Sequence, residues 1–396
     1  MVRGAPSHAH AHGTVHAVAF PRHTLSLPVV YDDRHRLHRD LTGSWLGVAE
    51  PGDEEPQRAD AIRAALAAAG APIVASTEHG DDPLLAVHDA EFVECLATAH
   101  DRWVAAGHPA VPGQPLVVPY VFALPGFTHH RPARKPAAVR ADIGRFAIDT
   151  MTPLGSGTWT AARAAFDAAL TACDLVLAGE RAAYAAVRPP GHHAGRDFFG
   201  GSCYLNNAAG AAQHLRDRGV ARVAVVDIDA HHGNGTQAIF WSRRDVWFGS
   251  VHVDPGAGWF PHFVGFDDEV GVDGGVGTTR NLPLAEGTGD SEWVDAVATL
   301  CALAARFEPD AVVVSLGVDA AAEDTNSPFS VTEAGFRVAG AAIAGLGVPT
   351  VFVQEGGYVV DRLGAFVLAV LAGFEGPGGV EGPGESDDLR GSDDTA

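Results

Sequence analysis

The chain has 396 residues, of which 46% are hydrophobic and 19% charged, so it can bury the core of one large α/β domain or two smaller ones. Its formal net charge of −22 repels phosphate backbones, which argues against nucleic acid as a partner and favours cationic small molecules. No apolar stretch has the length of a membrane span, and the four scattered cysteines lack the Cys-x-x-Cys spacing of thiolate zinc sites.

Both ends of the chain are typical of tails. Residues 1–22 are small and polar, carry four histidines and lack the apolar run of a secretory signal, so we predict a disordered tail and a cytoplasmic protein. Residues 376–396 consist largely of Gly, Pro and acidic residues and predict a second disordered tail. The folded domain is expected to span residues 23–375.

Between the tails, short β-branched runs alternate with Ala-rich helical patterns. The strand candidates, nearly continuous in apolar residues, are 28–32, 183–187, 221–228, 246–253, 310–316 and 349–354. The helix candidates are 57–69, 159–177, 207–218, 291–307 and 332–346. This alternation predicts an α/β fold with a single doubly wound, mostly parallel sheet and helices on both faces.

Residues 107–140 interrupt the alternation. They carry many prolines, predict no clear element and form the most basic stretch of the acidic chain. A loop of this length in a compact domain is usually functional or an oligomer contact. We therefore expect this loop to contribute to a homodimer and to narrow the entrance of the active site.

Polar side chains follow four of the predicted strands. In open parallel sheets, ligands bind outside the carboxyl ends of the strands, so these side chains are expected to converge at one edge. They are His192 and His193 after the second strand, Asp227, Asp229 and His231 at the end of the third, Asp319 after the fifth and Tyr358 after the sixth.

Three of these residues have the pattern of a catalytic metal site. Asp229 and His231 are two residues apart and point the same way on an extended backbone. Together with Asp319 they can form an O/N/O site that leaves a position open for water and a substrate carbonyl, as catalytic zinc requires. Iron(II) accepts the same ligands. Asp227 shares their parity and is expected to hold an imidazole in one tautomer.

The chain resembles the zinc-dependent histone deacetylase superfamily in five segments, which follow the family's order. They are RPPGHHA (188–194), FFGGSCYLNNAA (198–209), VVDIDAHHGNGTQ (225–237), SLGVD (315–319) and EGGY (355–358). Within the superfamily it is most similar to bacterial acetylpolyamine amidohydrolases, through SLGVD together with HGDDPLLAVHDAEFV (79–93), GTWTAA (157–162) and SVHVDPGAGWFPHFVGFDDEVG (250–271). The resemblance implies an arginase–deacetylase fold and a catalytic domain over residues 23–375.

The resemblance also implies catalytic roles in the hydrolysis of an acetylated amine. His192 and His193 match the tandem histidines of the family, with Asp227 orienting His192 and Asn234 orienting His193. Tyr358 matches the tyrosine that donates to the substrate carbonyl oxygen. Of the two imidazoles, His193 is expected to move protons, and His192, paired with a carboxylate, to act as a cation.

Two ions are implied by the same resemblance. Asp229, His231 and Asp319 would hold the catalytic zinc ion. A structural potassium ion would lie close to it, on Asp227, Asp229, His231, Ser250 and the carbonyl of Val251.

The departures from the family pattern concern the substrate. The expected substrate-binding residues are Gly201, Ser202, Phe260, Asn326 and Gly356. Many deacetylases have an aromatic residue where this chain has Ser202, so one flat wall of the acyl-lysine tunnel is missing while Phe260 is retained. No carboxylate is expected around Asn326, and residues 129–142 are basic, with Asp142 as their only acid. The candidate substrates are therefore an acetylated polyamine, an acetyl-lysine protein or peptide, and a secondary-metabolite amide with an acetyl or other short acyl group.

Two other functions compete with that of a deacetylase. An arginase-type binuclear site would need a second Asp where Gly233 stands and paired aspartates on another strand, and the chain has only Asp319 there. A non-catalytic sensor of acetylated amines would be typical of a chain that has lost Tyr358, a histidine or a metal ligand. Because this chain keeps them all, a deacetylase is the favoured interpretation.

Overall fold

The computed structural model describes residues 24–376, so the predicted tails lie outside the described residues apart from Gly376. The strands are β1 (Val29–Tyr31), β2 (Thr42–Trp45), β3 (Val48–Pro51), β4 (Ile73–Ala75), β5 (Ala182–Ala185), β6 (Val223–Asp227), β7 (Val246–Val253), β8 (Thr279–Leu284), β9 (Ala311–Leu316) and β10 (Thr350–Gln354). The helices are α1 (Gln57–Ala68), α2 (Asp82–Val87), α3 (Ala90–Ala105), α4 (Val139–Asp142), α5 (Thr158–Leu177), α6 (Asn207–Asp217), α7 (Asn234–Phe240), α8 (Asp290–Arg306), α9 (Glu333–Ala344) and α10 (Val360–Glu375). Among these helices, none is both long and apolar enough to cross a membrane.

Within the described residues, eight strands form one sheet in the order β4-β1-β5-β10-β9-β6-β7-β8. Each neighbouring pair in this sheet is parallel, whereas β2 and β3 form a separate antiparallel pair. The predicted doubly wound parallel sheet is confirmed, and the six predicted strands match β1, β5, β6, β7, β9 and β10 to within two residues at either end.

The two outermost strands, β4 and β8, were not predicted. Strand β4 is only three residues long, and β8 has the sequence TRNLPL, in which three polar residues and Pro283 leave only two apolar side chains. Edge strands tolerate proline and polar side chains because one side of the strand needs no partner. Their sequences therefore lack the continuous apolar pattern that marks the inner strands.

The inner strands fill two cores with alternate side chains. In β6, Val223 and Val225 belong to the core that contains α3, α5 and α6, whereas Ala224 and Val226 belong to the core that contains α1, α8, α9 and α10. Because successive side chains of a strand point to opposite faces, both faces require apolar residues. Polar side chains are thereby concentrated at the strand ends.

The order of the sheet brings the four polar strand ends together. Strands β5, β10, β9 and β6 are consecutive neighbours in the centre of the sheet. All four run in the same direction, so the segments that follow them lie side by side at one edge.

A buried ion cluster ties α1 to this edge. Glu54 Oε1 lies 2.6 Å from Arg58 Nη1 and 2.8 Å from Arg188 Nε, and all three side chains are buried. Arg58 also donates to the carbonyls of Glu355, at 2.6 Å, and Gly357, at 2.5 Å. Burial alone would raise the pKa of Glu54, but the charges of Arg188 and Arg58, with a hydrogen bond to His38, lower it to about 2. This carboxylate therefore links α1 to the ends of β5 and β10.

Replacing Glu54 by Gln should lower the free energy of unfolding by about 3–5 kcal/mol at neutral pH, because two buried guanidinium groups lose their anion. The folded-state pKa of about 2 lies below the ordinary value of 4.5. The advantage of the parent is therefore complete above pH 4.5 and should disappear as the pH falls through about 2. Denaturant unfolding at several pH values measures both effects. Glu55→Gln, at an exposed neighbouring position, is the control, and equal stability of the two variants would contradict the role of Glu54.

Candidate metal centre and active site

The three predicted metal ligands lie together beyond the carboxyl ends of β6 and β9. His231 Nδ1 is 2.9 Å from Asp319 Oδ2 and 3.4 Å from Asp229 Oδ1. One ligand atom from each of the three residues lies within 4.8 Å of the other two. Both carboxylates are buried, so this cluster concentrates negative charge away from water.

The protonation of this cluster indicates that it suits a cation. Burial, together with the neighbouring Asp229 carboxylate, raises the pKa of Asp319 to about 7. Burial opposes a charge on His231, but hydrogen bonds to Asp229 and Asp319 raise the pKa of this imidazole to about 10. Two buried carboxylates that share one site hold protons unless another positive charge replaces them. Two oxygens and one imidazole nitrogen are donors that zinc accepts, so the residues fit the implied ion.

Glycines allow the neighbouring strand ends to approach these ligands. The Gly356 N–H donates to Asp229 Oδ2 at 2.8 Å. A Cβ at position 356 would lie 2.5 Å from Asp319 Oδ2 and 2.6 Å from Asp229 Oδ2, and one at Gly317 would collide with Asp229. Any side chain at either position would displace a ligand.

The tandem histidines are held by different partners. His192 Nδ1 lies 3.0 Å from Asp227 Oδ2, and His193 Nδ1 lies 2.7 Å from Asn234 Oδ1, at the start of α7. The two imidazole rings are adjacent, with centroids 4.0 Å apart. Because an amide oxygen only accepts hydrogen bonds, Nδ1 of His193 carries the proton, and its Nε2 keeps a free lone pair.

The same partners separate the pKa values of the two imidazoles. Burial opposes the charged form of His192, but the carboxylates of Asp229 and Asp227 outweigh it and raise the pKa well above its usual value. For His193, burial and then the positive charge of His192 lower the pKa well below its usual value. The tandem pair therefore consists of one cationic and one neutral imidazole.

Sequence reasoning assigned no role to Glu355, although this residue belongs to the EGGY segment. Its Oε2 accepts hydrogen bonds from the backbone N–H groups of Gly191, at 2.6 Å, and His192, at 3.0 Å. Burial raises the pKa of this fully buried carboxyl to about 7. Glu355 thus fixes the turn that carries the tandem histidines.

Three further positioning residues were also missed. Asp149 Oδ2 accepts from the Gly201 N–H at 2.6 Å, and Asp324 Oδ2 accepts from the Tyr358 N–H at 2.6 Å. The guanidinium carbon of Arg58 lies 4.7 Å from the centroid of the Tyr358 ring. Asp324 closely follows the SLGVD segment, so its position in the sequence could have indicated it as a residue of the site. Nothing in the sequence connects Arg58 with Tyr358.

The predicted substrate walls meet at the tandem histidines. The rings of Phe260 and His193 pack edge to face, with centroids 4.7 Å apart. A Cβ at Gly201 would collide with His193 and lie 2.9 Å from Phe260, so position 201 lies against both rings. The next residue, Ser202, has a φ of +63° and donates its N–H to Thr152 Oγ1 at 3.0 Å.

The expectation that no carboxylate lies around Asn326 is wrong. Asn326 Nδ2 donates to Asp53 Oδ2 at 3.0 Å, and its backbone N–H donates to Asp324 Oδ1 at 3.0 Å. Asp53 precedes α1 and is 273 residues from Asn326 in sequence, so no local pattern could connect them. Asp142, the only acid of the basic residues 129–142, is fully buried, and its carboxylate lies 2.7 Å from Arg102 Nη1.

The residues predicted for potassium lie beside the metal ligands. Asp227 and Ser250 are paired residues on the neighbouring strands β6 and β7, and Val251 follows on the same strand. Asp227 Oδ1 accepts from the Asp229 N–H at 3.1 Å. Ser250 Oγ is 2.8 Å from His252 Nδ1. The strand pairing thus brings the predicted oxygen donors next to the cluster of Asp229, His231 and Asp319.

Known proteins resemble this chain over most of its length. The histone deacetylase domain family matches residues 52–374. Acetylpolyamine amidohydrolase 1 of Pseudomonas aeruginosa is 42% identical over 348 residues, which cover 88% of this chain and 98% of that protein. An acetylpolyamine amidohydrolase of Mycoplana ramosa is 41% identical over 349 residues, covering 88% of this chain and 99% of the relative.

Solved structures share the fold. The crystal structure of acetylpolyamine aminohydrolase from Burkholderia pseudomallei has a TM-score of 0.83 at 39% identity and covers 88% of this chain and 99% of that one. The HDA15 HD domain has a TM-score of 0.71 at 30% identity and covers 88% of this chain and 89% of that one. The predicted arginase–deacetylase fold is confirmed. The chain belongs to the histone deacetylase family and is an enzyme of its amidohydrolase class.

Proposed function

We propose that this enzyme is a zinc-dependent amidohydrolase that removes the acetyl group from an acetylated polyamine. The observation that carries the proposal is the convergence of the Asp229, His231 and Asp319 cluster with His193, whose tautomer is set by Asn234. The substrate class is supported by the relatives of 42% and 41% identity, which are named acetylpolyamine amidohydrolases.

The three clustered residues would hold the zinc ion, or iron(II) in its place. When bound, the ion polarises the acyl carbonyl and lowers the pKa of a water molecule to about 7. His193 accepts the proton of the attacking water at Nε2, because its Nδ1–H is bonded to Asn234. It then delivers that proton to the nitrogen of the leaving amine, so one water is consumed and an acid and an amine are formed.

Two further groups stabilise the negative charge that develops on the acyl oxygen. The hydroxyl of Tyr358 donates a hydrogen bond to this oxygen, while Asp324 and Arg58 hold the tyrosine by its N–H and its ring. His192, kept cationic by Asp227, supplies a positive charge beside the reacting centre. Neither residue gives up its proton during the reaction.

The carboxylate of Asp53, beside the predicted substrate-binding residue Asn326, favours a cationic substrate. It is exposed and accepts from Asn326, in a protein of formal charge −22. A free ammonium group on a polyamine would be attracted there. In the basic loop, Lys135 pairs with Glu94 at 2.9 Å, so the charge of this lysine is already compensated. An acetyl-lysine peptide is the alternative substrate.

The homodimer contact of residues 107–140, the structural potassium ion and the cytoplasmic location remain predictions.

The packing around Gly233 disfavours the binuclear alternative. A Cβ at this position would collide with Asp227 Oδ2. A second bridging aspartate therefore could not occupy position 233 without displacing the partner of His192.

Replacing Asp319 by Ala should abolish zinc binding at the centre and acetate release together, because the site loses one of its three ligands. Metal analysis of the purified protein and an acetate assay with and without chelator measure the two properties. Asp295→Ala, an exposed position on α8, is the control and should change neither. Acetate release by metal-free protein would refute the ligand assignment, and substrate binding without any release by the parent would favour the sensor alternative.

Replacing His193 by Ala should leave the zinc content unchanged and lower kcat by about 10²–10⁴-fold, since the general base is lost. Tyr358→Phe should also retain zinc and lower kcat by about 10²–10³-fold, because one donor to the oxyanion is removed. Steady-state kinetics with parallel metal analysis separates these effects. If His193→Ala retained most of its activity, His192 or bulk water would be the base.

The Asp53→Asn variant should raise the KM for N-acetylputrescine and N-acetylspermidine severalfold and leave the KM for a neutral acetyl-lysine peptide unchanged. The charge of the carboxylate attracts only the cationic substrates. Glu55→Gln, two residues along the chain, is the matched control. A preference of the parent for the peptide, with no effect of Asp53→Asn on either amine, would support the peptide alternative.

A further inference from the structure

A second group of metal-ligating side chains lies outside the active site. His79 precedes α2, Asp174 is on α5 and His214 is on α6. His79 Nε2 lies 2.9 Å from Asp174 Oδ2, and His214 Nε2 lies 2.9 Å from Asp174 Oδ1. The side chains of the two histidines are only 7% and 4% exposed, whereas that of Asp174 is 36% exposed.

We propose that His79, Asp174 and His214 bind a divalent transition-metal ion that is distinct from the catalytic ion. One ligand atom from each residue lies within 4.8 Å of the other two. A tetrahedral ion with bonds of about 2.0–2.2 Å needs ligand atoms about 3.4 Å apart. His79 Nε2 lies 2.9 Å from Oδ2 of Asp174, and His214 Nε2 lies 2.9 Å from Oδ1 of the same carboxylate. Each of these two contacts would have to open by about half an ångström to admit an ion bound by one or both carboxylate oxygens. The partial exposure of Asp174 leaves water access for a fourth ligand.

The surroundings of His79 also point to a metal ligand. Its Nδ1 is buried and has no hydrogen-bond partner among the described residues. The nearest carboxylate oxygen, Asp167 Oδ1, lies 3.7 Å away, on the helix that carries Asp174. An imidazole that ligates a metal through one nitrogen usually donates its other N–H to a carboxylate or carbonyl. A small rotation of the ring towards Asp167 would complete this arrangement.

The charges near the cluster leave room for a cation. Arg218 Nη2 lies 3.7 Å from Asp174 Oδ1, but its side chain is 55% exposed and is free to turn into solvent. Two imidazoles and one carboxylate suit zinc, copper, nickel or cobalt, whereas magnesium and calcium prefer oxygen donors. The expected ligand is therefore a transition-metal ion.

The position of the cluster gives binding a structural consequence. The three ligands join the segment before α2 to the neighbouring helices α5 and α6. An ion that binds these ligands in the folded chain, and not in the unfolded chain, raises the thermal midpoint of unfolding. The proposed site would act as a clamp on the helical layer that contains α5 and α6.

The test counts ions in the full-length chain, with Co²⁺ as the probe. His8, His10, His12 and His16 are replaced by Gln throughout, because their imidazoles would also bind Co²⁺. The parent should bind two equivalents after gel filtration, with visible absorption from both. His79→Gln and the nearly isosteric Asp174→Asn should each bind one equivalent, release acetate normally, and lose the increase in Tm that the second ion causes.

Two controls make the outcome specific. His130→Gln removes an exposed imidazole elsewhere and should still bind two equivalents. Asp319→Ala should lose the catalytic ion and keep the second one, so that failure of the catalytic assignment is distinguished from failure of this one. Binding of one equivalent by the parent, or of two by Asp174→Asn with unchanged absorption, would overturn the proposal.

Discussion

The active site is organised around the burial of negative charge. Its four carboxyl groups are each at most 1% exposed: Asp227, Asp229, Asp319 and Glu355. Buried carboxylates are stable only when cations or N–H donors compensate them. His192 lies beside the carboxylates of Asp227 and Asp229, and the Gly356 N–H donates to the other oxygen of Asp229. The strand-end turns, the glycines and the tandem histidines all contribute to this compensation, and the proposed metal ion would complete it.

The fold explains why these charges meet at one edge. Strands covered on both faces place most of their side chains in the two cores, as β6 and β9 do, so most polar residues of the site lie where a strand ends. Ser250 and His252, inside β7, are buried exceptions that lie within hydrogen-bonding distance of each other. The four central strands end at the same edge because they are parallel neighbours. The residues of the site can therefore be far apart in sequence and still form one cluster without any long insertion.

The separation of apolar strands from polar strand ends also determines what could be predicted from the sequence. The inner strands and the Asp229–His231 pair follow from local patterns, namely apolar runs and a two-residue spacing. The edge strand β8 has no such run, because it needs none. Contacts such as Arg58 with Tyr358 and Asp53 with Asn326 depend on long or exposed side chains that reach across elements. No periodic pattern in the sequence reflects such contacts, so the roles of Arg58 and Asp53 became apparent only in three dimensions.

The two clusters of potential metal ligands differ in the negative charge that each carries when no ion is bound. The catalytic cluster combines two buried carboxylates with His231, so it must take up protons, as the raised pKa of Asp319 indicates. The cluster of His79, Asp174 and His214 has a single carboxylate, and each of its oxygens already lies within hydrogen-bonding distance of an imidazole nitrogen. Such a cluster is stable without metal, as an ordinary hydrogen-bonded triad. Occupancy of this site would therefore follow the availability of metal, whereas the cluster of Asp229, His231 and Asp319 would gain more compensation from the ion proposed for it.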